Sequence, residues 1–324
     1  MEKAPMSAGA TIHLEKRNAR NSWLIVIGLV VGIVALVLSV AAITLAVNKS
    51  DSNASSEQCD GSSLPQNVIF FISDGMGVSY TTVTRDVIER GKLASGGVQP
   101  RSMILDAIAS GTMKTRSLES LVTDSAAAAT ALSTGMKTFN GWVSDVVGLE
   151  GKTVEDLPRN ETSGKVLFEQ GQVGKVRQVK TVLEGAEEKG LWTGLVSTAR
   201  ITHATPAAFS SHTPDRNLED IIAQQQIDHG IEVLLGGGRS YYLPQSMSGS
   251  KRTDDIDIIS QAKEKGYSYV ETAAEMANIR TVPLLGLFNN SHISYAIDRL
   301  GLPGGSPGTQ PTEEPTLAEM VRIL

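Results

Sequence analysis

The sequence predicts an α/β fold in which a mostly parallel central sheet is covered by helices on both faces, preceded by a single transmembrane helix. Three observations predict it. Apolar, β-branched runs at 67–73, 193–198, 231–235 and 283–288 alternate with helical stretches, the pattern of a parallel sheet between two helical layers. Thr123 to Gly135 holds an alanine run that follows a polar residue and is closed by a glycine, and the stretch reads as a helix. Trp23 to Val47 is uninterrupted by charge over 25 residues, ~37 Å as a helix against a hydrocarbon core of about 30 Å.

With 324 residues, 41% of them hydrophobic, the chain can bury one large α/β core. A net charge of -6 gives no basic footprint, so nucleic acid is not an expected partner. Residues 23–47 read as a retained signal anchor rather than a cleaved signal peptide, whose apolar region is shorter. Lys16, Arg17 and Arg20 precede the span, whereas Lys49 behind it is offset by Asp51. The positive-inside rule leaves 1–22 as a cytosolic tail and places the rest in a lumen or outside, a type II single-pass arrangement. Asn-x-Ser/Thr sequons at Asn48, Asn53, Asn160 and Asn289 agree with that side and suggest a glycoprotein. Cys59 is the only cysteine, so no intrachain disulfide forms. Residues 48–66, rich in Ser, Asn, Asp and Gln, read as a flexible linker.

The domain proper starts at 67. Val68 to Ile72 form an apolar run that reads as a strand buried on both faces, ending at Asp74-Gly75. A carboxylate at the carboxyl end of such a strand lies on the ligand-binding edge of an open α/β sheet and can hold a cation. Standing alone, the same residues read first as an ordinary Asp-Gly turn.

Thr123-Asp124-Ser125 opens the alanine-rich helix, with Ser125 in its first turn and Gly135 closing it. A hydroxyl there faces free backbone N–H groups and the positive end of the helix dipole, a place that suits phosphate. The alternative is a small-residue helix packed against a sheet, with Ser125 as its N-cap.

Residues 150–178 carry scattered charge and weak periodicity and read as a surface insertion or a gene-model error. Gly151-Lys152-Thr153 is no P-loop, because Val146 stands where the earlier glycine is required. Gly236-Gly237-Gly238 after a strand reads as a tight turn. His212 and His229 read as structural histidines.

The segments FFISDGMG, LVTDSAAAATALSTG, STARITHATPAAFSSHTPDR at 197–216, VLLGGGRS and PLLGLF follow one another over 67–324. In that order they resemble the alkaline phosphatase family, and closely its fungal vacuolar branch. The resemblance implies a three-layer α/β/α sandwich, incomplete here, and hydrolysis of phosphate monoesters through a covalent phosphoserine on Ser125. It implies two Zn2+ and one Mg2+. Asp74 matches a carboxylate contacting zinc and magnesium, Ser125 binds zinc through its alkoxide, and Thr205 matches a magnesium ligand. His203 matches a nearby position that is Asp in some relatives, and an imidazole is a poor magnesium ligand. Arg216, in Thr213-Pro214-Asp215-Arg216, matches the arginine that grips the substrate phosphate, where a planar fork binds two oxygens at once. The zinc ions would stabilise the serine alkoxide and deliver the water that releases phosphate. A homodimer and a vacuolar membrane location are further implications.

The departures from the family lie at the end. Thr316-Leu317-Ala318-Glu319 reads as a capping box opening a helix that stops in mid-stripe at Leu324. The family's later Asp and His ligand motifs have no counterpart here, and the only Asp-His pair, Asp228-His229, is out of order. The chain therefore reads as the nucleophile half of the domain, inactive by itself. The alternatives are a membrane-tethered pseudoenzyme or partner subunit, and a sulfatase-like or phosphodiesterase relative.

Overall fold

The computed structural model describes residues 67–94, 103–108, 111–148, 176–299 and 313–323. The expected cytosolic tail, membrane anchor and linker, the cysteine, and the sequons at Asn48, Asn53 and Asn160 lie outside them. So does most of the expected 150–178 insertion. Among the described residues no helix is long and apolar enough to cross a membrane. The chain divides into two units, Met1–Phe71 and Ile72–Leu324.

In chain order the second unit contains α1 (Val78–Ala94), α2 (Ile104–Ile108), α3 (Ser125–Thr134), β1 (Asp145–Val147), β2 (Val176–Gln178), α4 (Val182–Glu187), β3 (Gly194–Arg200), α5 (Ala204–Ser210) and α6 (Glu219–His229). It continues with β4 (Val233–Gly237), a 3-10 turn at Arg239–Tyr241, α7 (Ile258–Glu264), β5 (Ser268–Val270), α8 (Ala273–Asn278), β6 (Leu284–Leu287), α9 (Ala296–Arg299) and α10 (Leu317–Val321). The central sheet has the order β3-β4-β6-β5 and all its pairs are parallel.

The expected parallel sheet between helical layers is thus present, and the side chains show why. Strands β4 and β6 are buried along their whole length, as a sheet covered on both faces requires. Their side chains alternate. Leu234, Leu285 and Leu287 join Ala223 and Ile227 of α6 and Ile258, Ile259 and Ala262 of α7 in one core. Val233, Leu235 and Leu284 join Met276 of α8 and Met320 of α10 in a second core on the other face. The capping box expected at Thr316 is formed, with the Glu319 amide donating to Thr316 Oγ1 and Thr316 N–H to Glu319 Oε2.

One expectation is corrected and one alternative reading falls away. Residues 67–73 form no strand, and Val68, Ile69, Phe70 and Phe71 are exposed rather than buried on both faces. An apolar run forms a buried strand only as part of a sheet, and the parallel sheet among the described residues runs β3-β4-β6-β5 without it. The alanine-rich helix packs against another small-residue helix, not a sheet: Ala126 and Ala129 of α3 meet Ala204, Ala207 and Ala208 of α5. Alanines on both sides let the two backbones approach closely, which brings the start of α3 beside the start of α5. Val176–Gln178, assigned to the insertion, pairs antiparallel with Asp145–Val147 as a two-stranded ribbon.

Candidate active site

α3 starts where the sequence indicates, but its N-cap is Asp124, not Ser125. Asp124 has extended backbone (φ -90, ψ 175), and its Oδ1 accepts from the Ala127 amide at 2.9 Å. Ser125 is therefore the first helical residue. Its N–H and that of Ala126 have no partner within the helix, and the helix dipole puts positive potential beside its hydroxyl. Gly135 closes α3 in the left-handed region at φ 74.

Arg216 joins this helix start to the neighbouring one. Its Nη1 donates to Ser125 Oγ at 2.9 Å and to Asp124 Oδ2 at 3.1 Å. Its Nη2 lies 3.0 Å from Nε2 of His203, the N-cap of α5. The loop carrying Arg216 is held in place by paired backbone bonds between Val143 and Thr213 and by the Arg216 amide donating to Gly141 O at 2.7 Å. Arg216 and Asp124 keep 22% and 26% of their side chains exposed, so their ion pair is shielded yet open to a ligand.

His203 is neutral. Burial, then the positive charges of Arg216 and Arg200 and the nearby His292 ring, push its pKa down to about 4, against the opposing pull of Glu219. A neutral ring facing a guanidinium presents its lone pair, so Nε2 accepts from Arg216 and the ring proton sits on Nδ1.

Asp74 and Thr205 meet in the same unit. Asp74-Gly75 forms the turn that the local sequence suggests, with Gly75 at φ 68, and the Asp74 carboxylate projects from it. Thr205 Oγ1, in the first turn of α5, donates to Asp74 Oδ2 at 3.0 Å. The structure thus links Ser125 to Arg216 and His203, and Thr205 to Asp74, with His203 and Thr205 two residues apart.

Several site residues carried no legible signal in the sequence. Arg200, at the carboxyl end of β3, forks onto Glu219, with Nε 2.8 Å from Oε2 and Nη2 2.6 Å from Oε1. Thr202 Oγ1 also donates to Glu219 Oε2 at 2.6 Å. Burial alone would raise the Glu219 pKa, but these hydrogen bonds and the Arg200 charge outweigh it and hold the carboxyl below its ordinary value. His292, from the loop after β6, places its ring 5.3 Å from that of His203 and its Nε2 2.8 Å from Arg200 Nη1. Gly237 makes this approach possible, because a Cβ there would lie 1.9 Å from Ser291 O. The expected turn is corrected for two of the three glycines: Gly236 and Gly237 end strand β4, and only Gly238, at φ 98 and donating to Ser291 O at 2.8 Å, leaves it for the 3-10 turn.

His212 and His229 lie apart from this cluster. His212 bridges Glu184 Oε1 at 2.9 Å and Ser144 O at 3.0 Å. Asn289 donates through Nδ2, the atom a glycan would occupy, to Glu314 Oε1 at 2.6 Å.

As donors, Asp74 and Thr205 offer two neighbouring hard oxygens, which fit Mg2+ in kind and supply part of its octahedral set. His203 turns its lone pair to Arg216. Among the described residues no group of three or more His, Cys, Asp or Glu is arranged to hold a metal, so these residues do not fit a zinc site.

Comparison with known proteins gives a consistent result. The sequence model of one family, described as "Alkaline phosphatase", matches residues 65–323. The alkaline phosphatase of Schizosaccharomyces pombe is 36% identical over 266 residues, which cover 79% of this chain and 42% of that protein. The repressible alkaline phosphatase of Saccharomyces cerevisiae is 34% identical over 277 residues, covering 80% of this chain and 42% of that protein. The crystal structure of Thermus thermophilus alkaline phosphatase aligns with a TM-score of 0.58 at 31% identity, over 78% of this chain and 44% of that one. This chain spans less than half the length of these relatives.

Proposed function

This chain belongs to the alkaline phosphatase family, and from that premise we propose that it carries the nucleophile of a hydrolase acting on phosphate monoesters. The observation that carries the reading is the Ser125 hydroxyl, at the start of an α-helix, 2.9 Å from the Arg216 guanidinium. Arg216 and the free amides of the first turn of α3 would bind the phosphate oxygens. Ser125 Oγ would form a bond to phosphorus as the bond to the leaving oxygen breaks, and water would then release phosphate from the phosphoserine. His203, accepting from Nη2, keeps the guanidinium turned toward Ser125, and Asp124 holds it from the other side.

Asp74 and Thr205 are the residues that would hold Mg2+. A bound divalent ion supplies positive charge that favours ionised oxygen over its protonated form. The expected pair of zinc ions needs more ligands than the described residues bring together. Residues 23–47 are proposed to anchor the protein in a membrane, with the catalytic part lumenal.

The test is to complete the chain to the length of the relatives it matches, load it with zinc and magnesium, incubate it with labelled phosphate and quench in acid. Label is expected on Ser125, and Ser125→Ala is expected to trap none. Label retained in Ser125→Ala removes this residue from the nucleophile role.

A further inference from the structure

Phe139-Asn140-Gly141-Trp142 is a tight turn, closed by the Trp142 amide donating to Phe139 O at 3.1 Å, with Gly141 at φ 88 in its third position. That position of a type II turn takes a positive φ, which glycine adopts without strain. Asn140 is exposed and caps no helix, so the fold does not explain why its side chain is fixed. It is nevertheless fixed on both sides. Its Oδ1 accepts from the Asp124 amide at 3.0 Å, and its Nδ2 donates to Val122 O at 3.1 Å. One side-chain amide thus binds the backbone on either side of Thr123, as the peptide of a neighbouring strand would.

The turn is anchored from below as well. The Asn140 amide donates to Glu119 Oε1 at 2.9 Å, and Glu119 Oε2 accepts from Ser117 Oγ at 2.8 Å. The next residue reaches the site itself. The Gly141 amide donates to Asp124 Oδ2 at 2.9 Å, the oxygen that also accepts from Arg216 Nη1, and Gly141 O accepts from the Arg216 amide. The route from Asn140 to Ser125 therefore closes a ring: Asn140 to the Asp124 backbone, Asp124 to the Arg216 guanidinium, Arg216 to Ser125 Oγ, and the Arg216 amide back to Gly141.

We propose that Asn140 is a positioning residue, fixing the backbone of Val122 to Asp124 so that the Asp124 carboxylate sets the Arg216 guanidinium against Ser125. What this placement serves rests on the phosphate-transfer reading above, but the placement itself does not. Asn140→Ala removes both side-chain bonds at an exposed position and leaves the turn's own backbone bond and Gly141 in place. Asp124 then loses its outer support, and Arg216 is freed to rotate.

The experiment is arginine-selective 15N NMR on the full chain in detergent, with the Arg216 and Arg200 signals assigned through Arg216→Lys and Arg200→Lys. A guanidinium held from several sides shows separate Nη signals, because rotation about Nε–Cζ is slowed. In the parent both Arg216 and Arg200 should show them. In Asn140→Ala the Arg216 pair should merge while Arg200, clamped by Glu219, stays resolved. A purely structural loss lowers the melting temperature without this selectivity. The proposal is overturned if Arg216 stays resolved in Asn140→Ala, if Arg200 merges with it, or if Arg216 is already averaged in the parent. Phosphate trapping on Ser125 is scored separately: a parent that traps none but shows the selective merging sinks the proposed function and leaves the role of Asn140 standing.

Discussion

The Ser125 side and the Asp74 side of the site are built in different ways. Around Ser125 the chain supplies a helix start, a capping carboxylate, a guanidinium with three side-chain partners and a neutral imidazole, joined by bonds of 2.9 to 3.1 Å. Around Asp74 it supplies one hydrogen bond, from Thr205, to a carboxylate on an exposed turn whose Oδ1 accepts nothing among the described residues. The first region is organised before any ligand arrives, as a site that stabilises developing charge should be. The second has acceptor capacity left over, and its geometry depends on what completes it.

On that contrast, the largest losses come from the organised side. In a chain completed to the length of its relatives, Ser125→Ala should reduce turnover by about 10^3-fold or more, since the residue that forms the covalent bond has no substitute nearby. Arg216→Ala should follow. It removes charge-assisted bonds worth about 1.5–3 kcal/mol each, so inhibition by inorganic phosphate should weaken at least about tenfold. Arg216→Lys should not restore it, because an ammonium cannot span Asp124, Ser125 and His203 at once. Unchanged phosphate inhibition in Arg216→Ala would show that the organised side is arranged for something other than phosphate.

The sequence made this side more legible than the other. Alanines at 126–129, the glycine at 135 and the polar residues before them specify α3 locally, because propensity and capping act within a few residues. The strands at 233–237 and 284–287 were legible for the related reason that burial on both faces leaves an unbroken apolar run. The run at 67–73 has the same composition and yet forms no strand, since composition does not reveal which backbone lies alongside. Asp124 was hidden by its neighbour, because two adjacent residues could each cap the helix and only the backbone angles decide. Glu219, Arg200 and His292 were out of reach altogether. They meet across 19 and 92 positions of sequence, and a single charged or imidazole side chain has no periodicity to betray its partner.

The Arg200 and Glu219 pair gives a smaller, pH-dependent effect. The folded-state pKa of Glu219 is depressed, so the contribution of the pair to stability is complete above the unfolded value, near 4.5, and is lost as pH falls through the lower folded value. The melting temperature of the parent should therefore drop more steeply below about pH 4.5 than that of Glu219→Gln, which has no carboxyl to protonate there. At pH 7 the order is reversed, with Glu219→Gln the less stable, because the half-buried Arg200 loses its ionic partner. Parallel pH profiles for the two proteins would mean that the pair does not hold the β3 to α5 turn.

The smallest effect belongs to the Asp74 side. Thr205→Val keeps the shape of the side chain and removes the hydroxyl that meets Asp74 Oδ2. One neutral donor to an exposed carboxylate contributes about 0.5–1.5 kcal/mol at most, so the melting temperature should barely move. Magnesium affinity, followed by calorimetric titration, should nevertheless fall about tenfold, since one of the two oxygens offered to the ion is gone, and Asp74→Asn should lower it further by removing charge as well. The reverse outcome, a large loss of stability with unchanged magnesium binding, would make the Asp74 to Thr205 contact a structural tie like those around Ser125. The two regions would then differ only in how many hydrogen bonds each contains, not in what each requires from outside the chain.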